Sequence, residues 1–564
     1  MNPEVSSKTG KFHLVTAILL FLLYFGLSLN VIQPKISEID FHNIDEYLHS
    51  AISANILRDP FPPQVRINAL DSDDTRWTEN QYWQHIPPFY TYIPVPVFLL
   101  DGEPNADARR ITYAALLGIG GMLFIFIVWF YERNRFSTYA AGIAACIWII
   151  TPFTRDLITG HAFNHSDVLL ALLIICSFGA ILWYQKDIHQ ERKLYSLWKI
   201  SLIAFVVTLP VVAKSALGAI PLATFVLLLI RDHMRINTRV ICGFSTAFVL
   251  LLLSYGMLFL SHPDTFIREI WTPFLHFDNY EGWSRPWHYF VTGYLPEQYL
   301  PHVWTLYFAG LVTGIVFFVR FGDSFARRRK LLLSFSILWF MWNLGAISLV
   351  EAKSPNFIYQ TYLLSLFFVI LCGGMFIRYI FRTIQFETRT VTASAARVLL
   401  GILVVVNCVL FISFFHRVLE ARKEVPAHVS SGVQYDSLAK KLRGDGVGLR
   451  DIFLLSYSYD DCYMKYHIIF KTGAETKTLQ ETNLVQLKHA LSVGQYDQVH
   501  IVFRTGRPIP PEYEQFNSYT DASFKIITFP KETFSDDISR WMDRMRPDIS
   551  SAEQCMTLPD TIHP

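Results

Sequence analysis

Residues 111–131 read ITYAALLGIGGMLFIFIVWFY, an uninterrupted run without a charge, and the cations Arg133 and Arg135 follow almost at once. A helix rises about 1.5 Å per residue and a bilayer's hydrocarbon core is about 30 Å thick, so about 20 apolar residues are what a spanning helix needs. Working outward from this run, similar ones lie at 13–32, 138–153, 167–184, 197–213, 215–231, 240–261, 303–319, 331–350, 357–377 and 396–415. Several are short enough to borrow residues from their flanks, and the pair 197–213 and 215–231 is joined by little more than Lys214. The chain of 564 residues is 52% hydrophobic and only 17% charged, with 46 phenylalanines, too apolar for one soluble domain. The expected fold is a polytopic α-helical membrane protein with about eleven transmembrane helices.

Lysine and arginine in short loops set the orientation of such a protein. With the N-terminus inside, the inner segments carry Lys8 and Lys11, then Arg133 and Arg135, Lys186 to Lys193, Arg231 to Arg239, Arg320 to Lys330, and Arg378 to Arg389. Every one is basic. The outer side then receives residues 33–110, residues 262–302 and everything after about 416, and an odd number of spans is what puts the long tail outside. The first run is followed by no small-residue cleavage site, so it is expected to remain as a span. Overall charge is nearly balanced, 49 basic against 47 acidic residues, which sets nucleic acid aside as a partner.

The tail, about 420–564, is polar, with candidate strands at 451–457, 498–503 and 524–529 and helical patterns near 435–443, 479–492 and 531–546. It reads as a soluble extracytoplasmic α/β domain following a transmembrane module at 1–419 that includes the outer loop 33–110. Of the seven cysteines, five lie in apolar runs; Cys462 and Cys555 alone fall in polar sequence, where an oxidising compartment permits a pair.

The first outer loop contains FHNIDEYLHSAISANILRDP, with Ile44, Leu48, Ile52 and Ile56 four residues apart. This is an amphipathic helix, expected at the membrane surface and ending before Pro60. Asn43 and Glu46 fit a capping box, and Asp45 sits in the first turn, where the helix dipole favours a carboxylate. The two acids therefore have a structural reading beside any chemical one. Next comes WQHIPPFYTYIPVPVFLLDG, whose four prolines predict a rigid extended segment through Ile86–Pro96. Its rings, Trp83 and Tyr90 among them, suit either an interface belt or a platform for a sugar or lipid head group.

Taken in order, these features resemble the GT-C glycosyltransferases, above all the lipid A aminoarabinose transferases and the protein O-mannosyltransferases. The likeness rests on the pair Asp45-Glu46 opening a helix in the first outer loop, the segment His85-Ile86-Pro87-Pro88, and Arg109 or Arg110 at the start of the second span. It continues through HAFNHSDVLLAL at 161–172, VVAKSALGAIP at 211–221, EAKSPNF at 351–357 and the long loop 262–302, covering about residues 10–420. Two cations of the family pattern are replaced, a lysine by Ile86 and an arginine by Leu48.

The resemblance implies a GT-C-like enzyme moving a sugar from a polyprenyl-phosphate or dolichyl-phosphate carrier to a lipid, glycan or protein acceptor. Such transfer needs a base for the acceptor proton and stabilisation of the leaving phosphate. Asp45 is expected to be the base, with Glu46 positioning it. For the phosphate the candidates are Lys214, Arg109, Arg110, His85 and Lys353; Lys214 is also readable as a snorkelling lysine. Asp167, with His165 before it, and the aromatic Tyr90 and Trp83 are candidates for sugar or acceptor binding; Asp167 also suits a helix N-terminus or a role orienting a cation. His161, His165 and Asp167 could lend ligands to a divalent metal, but no metal-site spacing is present and none is assigned. No cofactor beyond the carrier-linked donor is expected. The setting implied is a bacterial inner membrane with a periplasmic site. A non-enzymatic membrane scaffold and a lipid-linked sugar transporter or flippase are the alternatives, and outer loops rich in polar and aromatic residues over short basic inner ones favour neither.

Overall fold

The computed structural model of the chain describes residues 44–70, 88–150, 166–191, 197–249, 286–349, 356–386 and 441–545, with short omissions within them and a few isolated residues elsewhere. Contacts divide the chain into two compact units, one of residues 1–35, 85–90 and 110–425 and another of 36–84, 91–109 and 426–564. The sequence-based division placed residues 33–110 with the spans. The contacts instead group most of that loop with the C-terminal residues.

The first unit is helical. It contains most of α3 (Ala106–Glu132), together with α4 (Arg135–Ile150), α5 (Ser166–Glu191), α6 (Leu197–Lys214), α7 (Ala219–Arg231), α8 (Val240–Val249), α9 (Pro301–Phe321), α10 (Arg327–Ser348) and α11 (Asn356–Phe386). Among the described residues five helices, α3, α5, α9, α10 and α11, are long and apolar enough to cross a membrane. The chain is therefore a helical membrane protein. The expected span 396–415 lies outside the described residues, as does the end of 240–261, and of 13–32 only isolated helical residues are described.

The doubtful pair around Lys214 is two helices, α6 and α7, with Gly218 directly before the second. A side chain on Gly218 would put its Cβ 2.0 Å from the Pro210 carbonyl oxygen, so only glycine fits there. Between apolar helices the hydrophobic effect supplies little, and polar side chains and close packing join them instead. Tyr307 shares a 2.6 Å hydrogen bond with Ser365, Asn343 Nδ2 donates to Thr361 Oγ1 at 3.0 Å, and Trp339 Nε1 donates to Thr224 Oγ1 at 3.0 Å. Trp148 stacks on Tyr359 with centroids 5.0 Å apart.

The second unit is built on a five-stranded sheet of order β2-β1-β3-β5-β4, where β1 is Asp451–Leu455, β2 Glu475–Thr478, β3 Gln498–Arg504, β4 Asn517–Thr520 and β5 Phe524–Pro530. Strand β1 runs parallel to β2 and β3, while β5 is antiparallel to β3 and β4. Ile452 and Leu454 enter one apolar cluster and Phe453 and Leu455 another, so both faces of the central strand are covered. That double burial is why the strand reads as an unbroken apolar run instead of an alternation. Helices α12 (Asp461–Thr472), α13 (Leu484–Ser492) and α14 (Asp536–Arg544) belong to the same unit.

The amphipathic helix of the first outer loop, α1 (Ile44–Ile56), is also part of this unit. Its apolar stripe is present as expected, but it faces protein and not the membrane surface. Leu48, Ala51, Ile52 and Ala54 cluster with Ile469 and Phe470 of α12 and with Phe98 of α2 (Val95–Asp101), all buried. The prolines of the following segment likewise do not keep it extended. Pro88–Tyr92 is a 3-10 turn, and α2 begins with Pro96 in its first turn, where a missing N–H breaks no helical bond.

Polar contacts sew the loop to the sheet. Buried Arg66 pairs with buried Glu475 at 2.9 Å, Asn68 Nδ2 donates to the carbonyls of Leu449 and Gln495, and the Tyr496 hydroxyl donates to the Asn68 carbonyl. Arg58 caps α12: its guanidinium donates to the carbonyls of Ile469, Phe470 and Lys471 and to Asn55 Oδ1. Burial, and then the nearby charge of Arg443, lower Arg58 to about 10, which leaves it cationic at neutral pH and matched to the negative helix end. Hydrogen bonds from a charged donor are worth about 1.5–3 kcal/mol together with the carbonyls they satisfy. Arg58→Ala should destabilise the chain by about that amount, read as a lower midpoint in thermal unfolding of the detergent-solubilised protein; an unchanged midpoint would remove the cap from the account.

Candidate active site

The acidic pair occupies the first turn of α1: the helix starts at Ile44, directly after Asn43, and Asp45 and Glu46 follow. Their backbone is helical there, while their side chains fall outside the described part of the structure. The remainder of α1 is buried from Leu48 to Ile56, which anchors the helix within the second unit. Arg109, in the first turns of α3, is fully buried and donates from Nη1 to Ser50 Oγ of α1 at 2.7 Å. Tyr92 donates its hydroxyl to the Pro60 carbonyl just after α1, and burial, followed by the charge of Asp59, pushes that phenol up to about 12. A tyrosine so held donates a hydrogen bond and takes no part in proton exchange near neutrality.

In the first unit Lys214 and Asp167 form an ion pair. Lys214 is the last residue of α6, Asp167 the second of α5, and Nζ lies 2.6 Å from Oδ1. Sequence periodicity places each charge at the helix end that favours it, the carboxylate at an N-terminus and the ammonium at a C-terminus. The Asp167 side chain is 0% exposed and that of Lys214 is 11% exposed, so the lysine alone reaches toward accessible space. Gln360 of α11 donates from Nε2 to the same Oδ1 at 3.0 Å, so three helices meet on one carboxylate oxygen. Asp167 thus stands in the first turn of α5 and is the partner of a cation.

Gln360 was not among the residues singled out by sequence. Its signal was available: an amide in the middle of FIYQTYLL, where an apolar helix carries a polar group only if something satisfies it. Ser50 had no such signal. Arg110, next to Arg109 in α3, is fully buried, and the Tyr90 carbonyl accepts a hydrogen bond from the Tyr113 hydroxyl at 3.2 Å. Trp83, His85, His161, His165 and Lys353 lie outside the described residues, and Cys555 does as well. Among the described residues no group of three or more His, Cys, Asp or Glu side chains is gathered as metal ligands would be.

The fold built in this way is shared with a solved membrane protein. The structure of ArnT, a lipid A aminoarabinose transferase, from Cupriavidus metallidurans in the apo state matches with a TM-score of 0.52 at 14% identity, over 93% of this chain and 99% of that one. The same protein bound to undecaprenyl phosphate gives 0.49 at 14% identity, covering 91% and 97%. The archaeal oligosaccharyltransferase AglB from Archaeoglobus fulgidus, in complex with an inhibitory peptide and a dolichol-phosphate, gives 0.47 at 12% identity, covering 87% and 70%. By sequence, no family model and no curated protein matches the chain. The protein thus has a GT-C-type fold. Within that class it is similar to ArnT over nearly the whole length of both chains.

Proposed function

We propose that the chain is a glycosyltransferase that takes a sugar from a polyprenyl-phosphate carrier and passes it to a lipid, glycan or protein acceptor on the extracytoplasmic face of a bacterial inner membrane. The observation that carries the proposal is the buried Asp167–Lys214 pair, which holds an ammonium at the end of an apolar helix, where an unpartnered charge would be costly. A cation so fixed is suited to the phosphate of a lipid carrier. The GT-C-type fold supports the same class.

In this reading the bond between the sugar's anomeric carbon and the carrier phosphate breaks, and a bond to an acceptor oxygen forms. Asp45 takes the acceptor proton and Glu46 positions it; the departing phosphate keeps the electron pair and is met by Lys214, with Arg109, Arg110, His85 and Lys353 as further cations. Asp167 orients Lys214, and His165, Tyr90 and Trp83 contact sugar or acceptor. If the acceptor is itself a phosphate, Asp45 orients it instead. The complete topology is about eleven spans, with the N-terminus cytoplasmic and the C-terminal α/β part from about residue 420 in the periplasm. The sugar is a hexose or pentose.

The test supplies purified full-length protein in liposomes with polyprenyl-phosphate sugars and follows release of the free carrier. Sugar-dependent release is expected. Passage of intact labelled lipid across sealed vesicles without cleavage would replace this reading with transport.

A further inference from the structure

Helices α5 and α6 carry a second set of features, well away from the Asp167–Lys214 pair. Lys186 follows Asp167 on α5 by nineteen residues, about 28 Å along the axis, which is one hydrocarbon thickness. Lys186 therefore belongs to the opposite membrane face. Beside it, α3, α5 and α6 leave a cleft of about 350 Å³ whose wall is apolar apart from this one lysine, with Ile127, Trp183 and Val206 among its lining. On the other side of α6 a second cleft of about 370 Å³ lies against α8, lined by Trp198, Phe205 and Cys242. Leu202 borders both. Positions 198, 201, 202 and 205 share one face of α6 while 203 and 206 turn to the next, so α6 is a ridge between two apolar grooves.

Cations and aromatic rings alternate around the entrance. Lys186 Nζ lies 4.3 Å from the centre of the Phe130 ring, and Lys199 Nζ, from α6, lies 5.7 Å from that of Trp183 on α5. Trp183 and Trp198 have centroids 6.3 Å apart. Next to them Arg328 Nη1 approaches the Tyr131 carbonyl at 3.4 Å. Indole rings favour the head-group level, and basic residues between helices there attract anionic lipid heads.

We propose that this surface is a binding site for an anionic diacyl phospholipid, its two chains straddling the α6 ridge at Leu202 and its phosphate held by Lys186 and Lys199. The two grooves argue for two chains, which a single-chain polyprenyl phosphate does not have. Two lysines at the mouth of the grooves argue for net negative charge over a zwitterionic head. The site is independent of the glycosyl-transfer reading, and measuring it requires no turnover.

Native mass spectrometry of the full-length protein, titrated separately with dioleoylphosphatidylglycerol, dioleoylphosphatidylcholine and undecaprenyl phosphate, tests the proposal. Phosphatidylglycerol adducts should form at roughly tenfold lower concentration than phosphatidylcholine adducts. The double variant Lys186→Gln/Lys199→Gln should lose that preference while still taking up lipid, and Ala180→Phe, which fills the α3–α5–α6 cleft, should weaken both phospholipids. Equal binding of the two phospholipids, an unchanged preference in the double variant, or displacement of phosphatidylglycerol by equimolar undecaprenyl phosphate would each overturn it.

Discussion

Replacing Asp45 by asparagine is expected to lower sugar transfer by about 10²–10⁴-fold, the range a positioned general base contributes. The substitution keeps the size of the side chain and the hydrogen-bonding oxygen, and removes only the charge and the proton affinity. Its structural cost is bounded, since a carboxylate in the first turn of a helix is worth about 0.3–1 kcal/mol. A loss of 10²–10⁴ corresponds to about 2.7–5.5 kcal/mol in the barrier, so instability of α1 does not account for it. Glu46→Gln, assayed beside it, should be milder, because its assigned part is to position and cap. Turnover is measured as carrier release at saturating donor, with thermal unfolding run in parallel. Wild-type turnover in the asparagine variant would take Asp45 out of the reaction and leave the acidic pair as a helix start only.

The second large effect concerns the Asp167–Lys214 pair. Lys214→Met leaves the Asp167 carboxylate, 0% exposed, with Gln360 but without its ammonium. Breaking a buried pair from one side typically costs about 3–5 kcal/mol, because the surviving charge is left uncompensated. Adding Asp167→Asn removes that charge, so the double variant should regain most of the stability lost by the single one. Donor binding behaves differently in the proposed function. It should be weak in Lys214→Met and stay weak in the double variant, since the cation is absent from both. Thermal unfolding and donor titration on the four proteins of this cycle separate the two roles. Recovery of donor affinity in the double variant would make Lys214 a structural partner of Asp167 and send the phosphate role to another cation.

Much of the fold was legible because the patterns that carry it are long. The run at 111–131 lies within α3 (Ala106–Glu132), and the strand expected at 498–503 is observed as Gln498–Arg504. Where reading stopped, the reason is physical. The stripe Leu48, Ile52, Ile56 announces an apolar face but not what covers it, and a membrane surface and helix α12 make the same demand. Helix α12 itself, DCYMKYHIIFKT, carries no long apolar period and was not expected; its partner supplies the burial. Strand β2, ETKT, is polar yet buried on both sides, so only its place at the sheet reveals it. The prolines at Pro88 and Pro96 were weighed as helix breakers when their positions, at helix starts, make them helix formers.

The candidate site was partly legible for a related reason. Charges at apolar boundaries, such as Lys214 and Asp167, stand out in sequence because the membrane penalises them. Which of them meet does not, since the contact spans 47 residues and depends on how α5 and α6 pack. Gln360 completes the cluster from a helix 193 residues beyond Asp167.

The clasp between Arg58 and the end of α12 joins groups 411 to 413 residues apart in the chain. A ribosome adding about 5–20 residues per second needs roughly 20–80 s to cover that distance. The helix bearing the acidic pair is thus among the first parts made, yet its contacts with α12 form only after the intervening residues have been synthesised. A chain cut short before residue 469 would keep Val65, Phe98 and Ala108 against the helix that bears the acidic pair but lack Ile469 and Phe470, so the cover of its apolar stripe is finished only by the C-terminal part of the chain.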